Sequence, residues 1–476
     1  MPHTVEKIGG TSMSDYRAVR DNILCRNREN PYGSIFVVSA YGGVTNRLLE
    51  HKKSGQPGVY ALFTAAEDED AWRTVLHDLR GELHAINTTL FSDAALLAEA
   101  NAFIDTRLRE AERVLDNLQA LCEHGHFELE DHLLTVREML ASIGEAHSAW
   151  NTCRLLQREG VNARFVDLSG WNAVEAQPLD TVIGQAFAGI DLACELPIVT
   201  GYAHCSEGLM ASFDRGYSEM TFSRIAVLTG ASEAVIHKEY HLSTADPAVV
   251  GEQNIVAIGR TNYDVADQLA NLGMEAIHPR AAKGLRQNGI PLRIKNTFEP
   301  DHSGTLITGD YVSATPCVEI IAGRKNIHAI ELFDQEMVGK SDEYEKVLLD
   351  LFRRFRAQVI TKDLNANTVT HYLGCNLKTV KRIMREIKQR FPGAEASQRK
   401  VAIVSAIGSD MQVPGLLAKA VSALAGESIS VVAMHQSMRQ VDMQFIIDDE
   451  DYEGAVRSLH NGLIEPHNYG AAICAA

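Results

Sequence analysis

Short apolar runs along this chain are separated by stretches in which apolar residues return every three or four positions. The first run, Thr4 to Ile8, leads into Gly9-Gly10-Thr11-Ser12. Met13, Tyr16, Val19, Ile23 and Leu24 then follow at helical spacing, with Ser12 or Ser14 placed to cap that helix. Ser34 to Ser39 reads as a buried parallel strand ending at a second glycine turn, Ala40-Tyr41-Gly42-Gly43, and Thr45 and Asn46 open the next helix. Residues 60–126 are acidic and helical in pattern, which predicts a helical insertion or lid, and Leu133 to Arg158 predicts one more long helix. Strands are predicted at Ala163–Leu168, Leu196–Tyr202, Ala234–Ile236 and Ile290–Lys295, and helices at Ser218–Thr229, Tyr263–Leu272 and Pro279–Gln287. Strands alternating with helices imply an α/β unit over residues 1–310: three layers, αβα, around a mainly parallel sheet. Ligands bind such sheets at the turns after strand C-termini.

Beyond residue 315 the order changes. A strand at Ile327–Leu332 precedes a helix at Asp342–Phe355, strands at Ala357–Thr361 and Thr368–Leu373, and a helix at Leu377–Phe391. The order recurs in Val401–Ile407, Pro414–Ala425, Ile429–Met434, Val441–Ile447 and Tyr452–Leu459. This β-α-β-β-α pattern, seen twice, predicts two ferredoxin-like (βαββαβ) units at 315–398 and 399–476.

Composition narrows the function classes. A net charge of −17 over 476 residues argues against broad binding to nucleic acid or anionic membrane, yet leaves room for a small basic pocket. No apolar run approaches the roughly 20 residues that span a bilayer, and the chain starts with a strand, so a cytoplasmic protein is expected. The eight cysteines are scattered without a C-x-x-C pair, which suggests neither a zinc site nor a redox motif.

Lys7 is the sharpest candidate for chemistry. It ends a buried strand before paired glycines, where backbone N–H groups and a helix N-terminus can cradle a phosphate. A lysine there would neutralise charge on a transferring phosphoryl group. Ser39 to Asn46 is a second small-residue turn, equally readable as a capped strand–helix connection. Glu145, taken alone, reads as a solvated helix residue. Phe213 to Thr221 sets Arg215, Gly216 and Glu219 at a helix start; Ser218 could cap it, and Arg215 could grip a carboxylate. His237 and His241 have the spacing of a metal pair but no third ligand, so no metal is expected there. Thr368 to Arg382 mimics a helix-turn-helix with a basic second helix; its β-branched start and the acidic chain favour a strand, a turn and a helix with a solvated basic face.

Together these stretches resemble the aspartate kinases of the amino-acid kinase family. Lys7-Ile8-Gly9-Gly10-Thr11-Ser12 is similar to that family's K-F-G-G-T-S, and Ser39 to Asn46 to its S-A-x-x-G-x-T-N. Ile143-Gly144-Glu145 stands for H-G-E, Arg215 to Glu219 for R-G-G-S-D, Ser243 to Pro247 for Y-T-A-D-P, and His278-Pro279 for H-P. The resemblance implies ATP-dependent phosphorylation of the β-carboxylate of L-aspartate, with Mg2+ bridging the nucleotide phosphates and few protein ligands to it. It implies catalytic roles for Lys7 and Glu219, and nucleotide contacts from Lys7, Gly9, Gly10, Ser39, His237, Lys238 and Ser243. Thr45, Glu145, Arg215 and Ser218 would hold aspartate. The C-terminal repeats resemble tandem ACT domains, often interleaved, which implies a homodimer or larger assembly. Several positions depart from the pattern: Glu219 for aspartate, Tyr217 for glycine, Ile236-His237-Lys238 for W-T-D, Ser243 for tyrosine, and Glu275 where a lysine is expected. Lys340 to Tyr344 stands where a glycine-rich effector turn is usual, which speaks against feedback by lysine or threonine. These departures resemble the divergent kinases of ectoine biosynthesis. Two other readings stay open: a kinase of the same fold acting on glutamate or a derivative, and a catalytically weak amino-acid sensor.

Overall fold

The computed structural model describes residues 2–27, 30–51, 54–65, 70–124, 126–171, 175–213, 216–274 and 276–465. It divides into two compact units, Met1–His241 with Ile277–Gly309, and Leu242–Ala276 with Asp310–Ala476.

In the first unit the strands lie in the order Ala163–Val166, Leu196–Thr200, Ser34–Val38, Thr4–Ile8, Glu233–Lys238, Leu292–Asn296 and Thr305–Thr308. Neighbours are parallel except the last pair, which is antiparallel. Every residue of Leu196–Thr200 and the last four of Ser34–Val38 are buried, the mark of strands covered on both faces. Each such aliphatic side chain contributes about 1.5–3 kcal/mol by leaving water. Thr4–Ile8 is central. The chain leaves it first toward Ser34–Val38 and later toward Glu233–Lys238, and that reversal opens a crevice at the strand C-termini. Register sets Ile8 level with Val38 and His237, and Val38 level with Thr200. The turns after these four strands therefore share one edge.

The single helix expected over Met13 to Cys25 is three short pieces, Gly10–Met13, Tyr16–Val19 and a π-helical turn at Arg20–Leu24. Neither serine N-caps a helix. Asp15 caps Tyr16–Val19 through Ala18 N, because both hydroxyls are engaged elsewhere. Ser12 Oγ lies 2.9 Å from Thr297 Oγ1, and Ser14 Oγ accepts from Gly42 N at 2.9 Å.

The expected insertion forms helices at Val59–Ala65, Ala71–Leu90 and Ala94–Cys122, and Leu133–Arg158 follows as one helix. Trp72, Leu76, Leu79 and Leu83 on one helix, and Ile104, Leu108, Ala111 and Leu115 on the next, make the buried stripes. A buried polar knot fastens them to Leu133–Arg158. Asn87 Oδ1 accepts from Asn151 Nδ2 at 2.8 Å and faces His147 Nε2 at 2.7 Å, while Asn87 Nδ2 donates to Asn101 at 2.9 Å. Complete burial pushes the His147 imidazole down to about 3, so it stays neutral. No helix among the described residues is long and apolar enough to cross a membrane.

In the second unit one antiparallel sheet runs Gln358–Leu364, Thr368–Gly374, Ile320–Phe333, Glu395–Ile407, Asp442–Asp448, Val431–Gln436. The two central strands are long. The expected Ile327–Leu332 covers the half of Ile320–Phe333 that pairs with Thr368–Gly374; the other half, Ile320–Arg324, pairs with Ile403–Ile407. Ile330 and Leu332 pack with Leu348, Phe352, Val369 and Ile383. Ile321 packs instead with Val404, Leu416, Phe445 and Leu459. One strand thus serves both repeats, so 315–398 and 399–476 are not separate blocks. Residues 242–276, expected within 1–310, also fold here: Ala245 and Val250 join the core of the second repeat, and Val265, Leu269 and Leu272 pack on Ile320, Ile327 and Ile403.

Candidate active site

The paired glycines fit tightly between the strand ends. A Cβ on Gly10 would sit 2.6 Å from Ala40 O, closer than any side chain tolerates. Gly9 N donates to His237 O at 3.3 Å, and Ser39 N donates to Ile8 O at 3.1 Å, which ties the glycine loop to the strands on either side. Ser39 O in turn accepts from Ser148 Oγ at 2.8 Å. Lys7, one residue earlier, is 9% exposed. Its Nζ lies 3.7 Å from Glu219 Oε1, an ion pair too long to exhaust the ammonium's three donors.

Glu145 is buried, not solvated as its sequence context suggests; it is 1% exposed on the inner face of Leu133–Arg158. Small residues explain how that helix comes so close: a Cβ on Gly144 would stand 2.7 Å from Ala40 Cβ. Ser218 Oγ donates to Glu145 Oε1 at 2.7 Å. Ser218 is therefore not a cap; the helix Tyr217–Thr229 is capped at Gly216. Glu145 Oε2 is buried with no hydrogen-bond partner among the described residues. Gly201 closes the space, since a Cβ there would come within 2.9 Å of both that oxygen and Val38 O. Burial pushes the Glu145 carboxyl up to about 8, against the opposing pull of Ser218, Lys7, the Tyr217 side chain and the Tyr202 backbone. A buried carboxylate oxygen without a close partner can still accept a hydrogen bond from a bound group.

Glu219 Oε2 accepts from His278 N, so this longer stand-in for aspartate bridges Lys7 and the His278-Pro279 turn. Gly216 is packed against the same histidine, whose ring a Cβ at that position would meet at 2.8 Å. Thr45 lies on the short helix Val44–Leu48, entered through Gly43 at φ +86°. Lys7, Gly9, Gly10, Ser39, Glu145, Ser218 and Glu219 thus gather at one edge of the sheet.

Other expected residues fall elsewhere. His237 does not turn its imidazole toward Lys7. Register sets it level with Ile8, so the pleat sends it to the face of Glu6, whose Oε2 lies 2.6 Å away. Its contribution to the glycine loop is its carbonyl. Lys238 ends the same strand on the side of Lys7. Ser243 belongs to the second unit, where its hydroxyl donates to Ala245 O. Arg215 and Glu275 lie outside the described residues. His241 faces Glu299 while His237 faces Glu6, so the two imidazoles meet different carboxylates.

Glu239 was not anticipated. Its Oε1 accepts from Ser12 N at 3.2 Å and Ser12 Oγ at 3.4 Å, just beside Gly9. In sequence it is one charge among several after a strand; only the pairing of that strand with Thr4–Ile8 brings it to the glycine loop.

Comparison with known proteins identifies the family. Residues 3–296 match the amino acid kinase family and residues 404–463 match the ACT domain. Aspartate kinase Ask_Ect of Stutzerimonas stutzeri (strain A1501) is 55% identical over 476 residues, 100% of both chains. Aspartokinase 1, chloroplastic, of Arabidopsis thaliana is 24% identical across 97% of this chain and 80% of its own. The crystal structure of E. coli aspartokinase III in complex with aspartate and ADP has the same fold, at a TM-score of 0.71 and 20% identity, covering 97% of this chain and 99% of that one.

Proposed function

The chain belongs to the amino acid kinase family, and within it to the aspartate kinases; on that footing we propose how its residues divide the work of phosphorylating the β-carboxylate of L-aspartate with ATP. A β-carboxylate oxygen attacks the γ-phosphorus, the bond to the β-phosphate bridge oxygen breaks, and 4-phospho-L-aspartate and ADP result. The substrate brings its own anionic nucleophile, so no protein base is required. What the protein must supply is charge balance between two anions. Lys7, buried at the end of the central strand, supplies it. Glu219 holds the Lys7 ammonium from one side and leaves donors for the phosphoryl oxygens. Gly9, Gly10 and Ser39 line the phosphate path. Mg2+ brought in with the nucleotide would supply further positive charge to the phosphates.

Glu145 takes the amino group of aspartate, and Ser218 fixes its other oxygen. Thr45 and Arg215 complete the aspartate site, Arg215 through the α-carboxylate. The observation that carries this reading is the buried Glu145 carboxyl beside Lys7, its Oε2 without a close hydrogen-bond partner among the described residues. We place the enzyme in the cytoplasm and in ectoine formation, a reading supported by its motif departures and by the full-length identity to Ask_Ect. The ACT repeats would pair two copies through the outer strands of their sheet.

Hydroxylamine trapping tests the reaction, because an acyl phosphate yields a coloured hydroxamate. Wild-type enzyme with ATP, Mg2+ and L-aspartate should give aspartyl hydroxamate, and Lys7→Ala should lower turnover by about 10²–10³-fold with unchanged circular dichroism. Unchanged turnover would remove Lys7 from the mechanism. Hydroxamate formed from glutamate but not aspartate would refute the substrate assignment.

A further inference from the structure

The basic helix that mimics a DNA reader in sequence forms part of a cavity in the second unit. Helix Leu377–Arg390 lies beside the end of helix Ser341–Arg354. Between them is an open surface concavity of about 400 Å3 lined by Arg354, Phe355, Arg356, Arg382, Arg385 and Glu386, its four arginines exposed. Four guanidiniums thus face a single carboxylate, and even that one is shared: Glu386 Oε2 lies 3.5 Å from Arg354 and 3.8 Å from Arg390. Arg356 and Arg385 make no ion pair among the described residues. Arg354 and Arg382 both approach the Phe355 ring, at 5.5 and 5.0 Å. Arg356 is held in the left-handed region at φ +51°, uncommon for a side chain of this size.

A helix C-terminus accounts for Arg353 and Arg354, which offset its dipole. It does not account for Arg382 and Arg385, which sit mid-helix, nor for Arg356, which lies beyond the first helix. Like charges gathered in one concavity repel, and a compact multivalent anion relieves that repulsion. Guanidinium forks match phosphate oxygens in pairs. The field of the whole chain, at −17, opposes an extended polyanion. At physiological salt, however, screening over about 8 Å leaves a small ligand responding to the local arginines. We propose that this cavity is a binding site for a small diphosphate-bearing anion, outside the catalytic crevice.

The full-length chain carrying Lys7→Ala, which weakens the catalytic phosphate site, is titrated calorimetrically with inorganic pyrophosphate and with ADP. A site should persist in that background and weaken about tenfold or more when Arg382→Ala and Arg385→Ala are added. Equal binding of both ligands assigns the site to the diphosphate alone; tighter ADP binding adds contacts to the nucleoside, and either result supports the proposal. The Arg382→Ala/Arg385→Ala chain with Lys7 intact should keep its kinase activity, which establishes that it folds. Binding unaffected by the two arginine substitutions would overturn the proposal. So would a single-stranded oligonucleotide that binds as tightly as pyrophosphate and loses affinity with the same two arginines.

Discussion

Burial favours the protonated form of Glu145, and a substrate ammonium beside it would draw it to its anionic form. Its carboxyl titrates near 8 in the folded chain, against an ordinary value of 4.5. The folded state therefore keeps a proton that the unfolded state gives up. The resulting contribution to stability is complete below about pH 4.5 and is lost as pH rises through about 8. Glu145→Gln keeps the shape and removes the titration. Its thermal midpoint relative to wild type should therefore rise between pH 5 and pH 9, while KM for aspartate rises sharply at pH 7. A pH-independent difference in midpoint would mean that Glu145 is not the buried acid. Aspartate binding at pH 7 should also release protons from the wild type and not from the variant, measured by calorimetry in buffers of different ionisation enthalpy. None of this was legible at the residue itself, since Glu145 stands mid-helix among small residues like any surface carboxylate. Its motif pointed to aspartate, but burial became visible only once Gly144 and Gly201 brought the strand ends against it. Lys7 was legible because strand, lysine and paired glycines are contiguous. Glu239 and the reversed face of His237 were not, because both depend on which strand pairs with Thr4–Ile8.

At the scale of elements, the glycine loop is a fitted part. Gly10→Ala would press a methyl against Ala40 O and shift the loop. A loss of about 1–3 kcal/mol in denaturant unfolding is expected, with kcat falling further than the stability loss alone explains. Wild-type kcat in that variant would show that the loop has slack. The helices of the insertion and Leu133–Arg158 were readable from apolar spacing, because amphipathic helices carry their own signal. The broken helix after Ser12 was not. Its serines had the right chemistry for caps, but tertiary partners on Thr297 and Gly42 claimed them first. Helix Leu179–Phe187 also went unpredicted; only Leu179 and Ile183 are buried on it, too short a stripe to read.

For the whole molecule, the two-part order of the chain was evident from the change of pattern near residue 315, and the division between the parts was not. Residues 242–276 carry ordinary αβ spacing, and nothing local says which core receives them. The second unit should behave as one cooperative body. Residues 315–398 expressed alone should lack a sharp thermal transition, because Ile320–Arg324 lose their strand partner; a cooperative melt of that fragment would contradict the shared-strand architecture. Helix Ser341–Arg354 begins directly after Lys340 with no glycine-rich turn inside it, so added lysine or threonine should leave turnover unchanged when measured by hydroxylamine trapping.

The long central strands also bear on how the protein is made. Ile320–Arg324 leave the ribosome roughly eighty residues ahead of Ile403–Ile407, the segment that completes their hydrogen bonding. At about 5–20 residues per second that is a wait of roughly 4–16 seconds with an apolar strand edge bare. During this interval the nascent chain offers a ready template for a neighbour on the same messenger. Slow codons placed between the two strands would lengthen that exposure, and yield of soluble enzyme should fall with them.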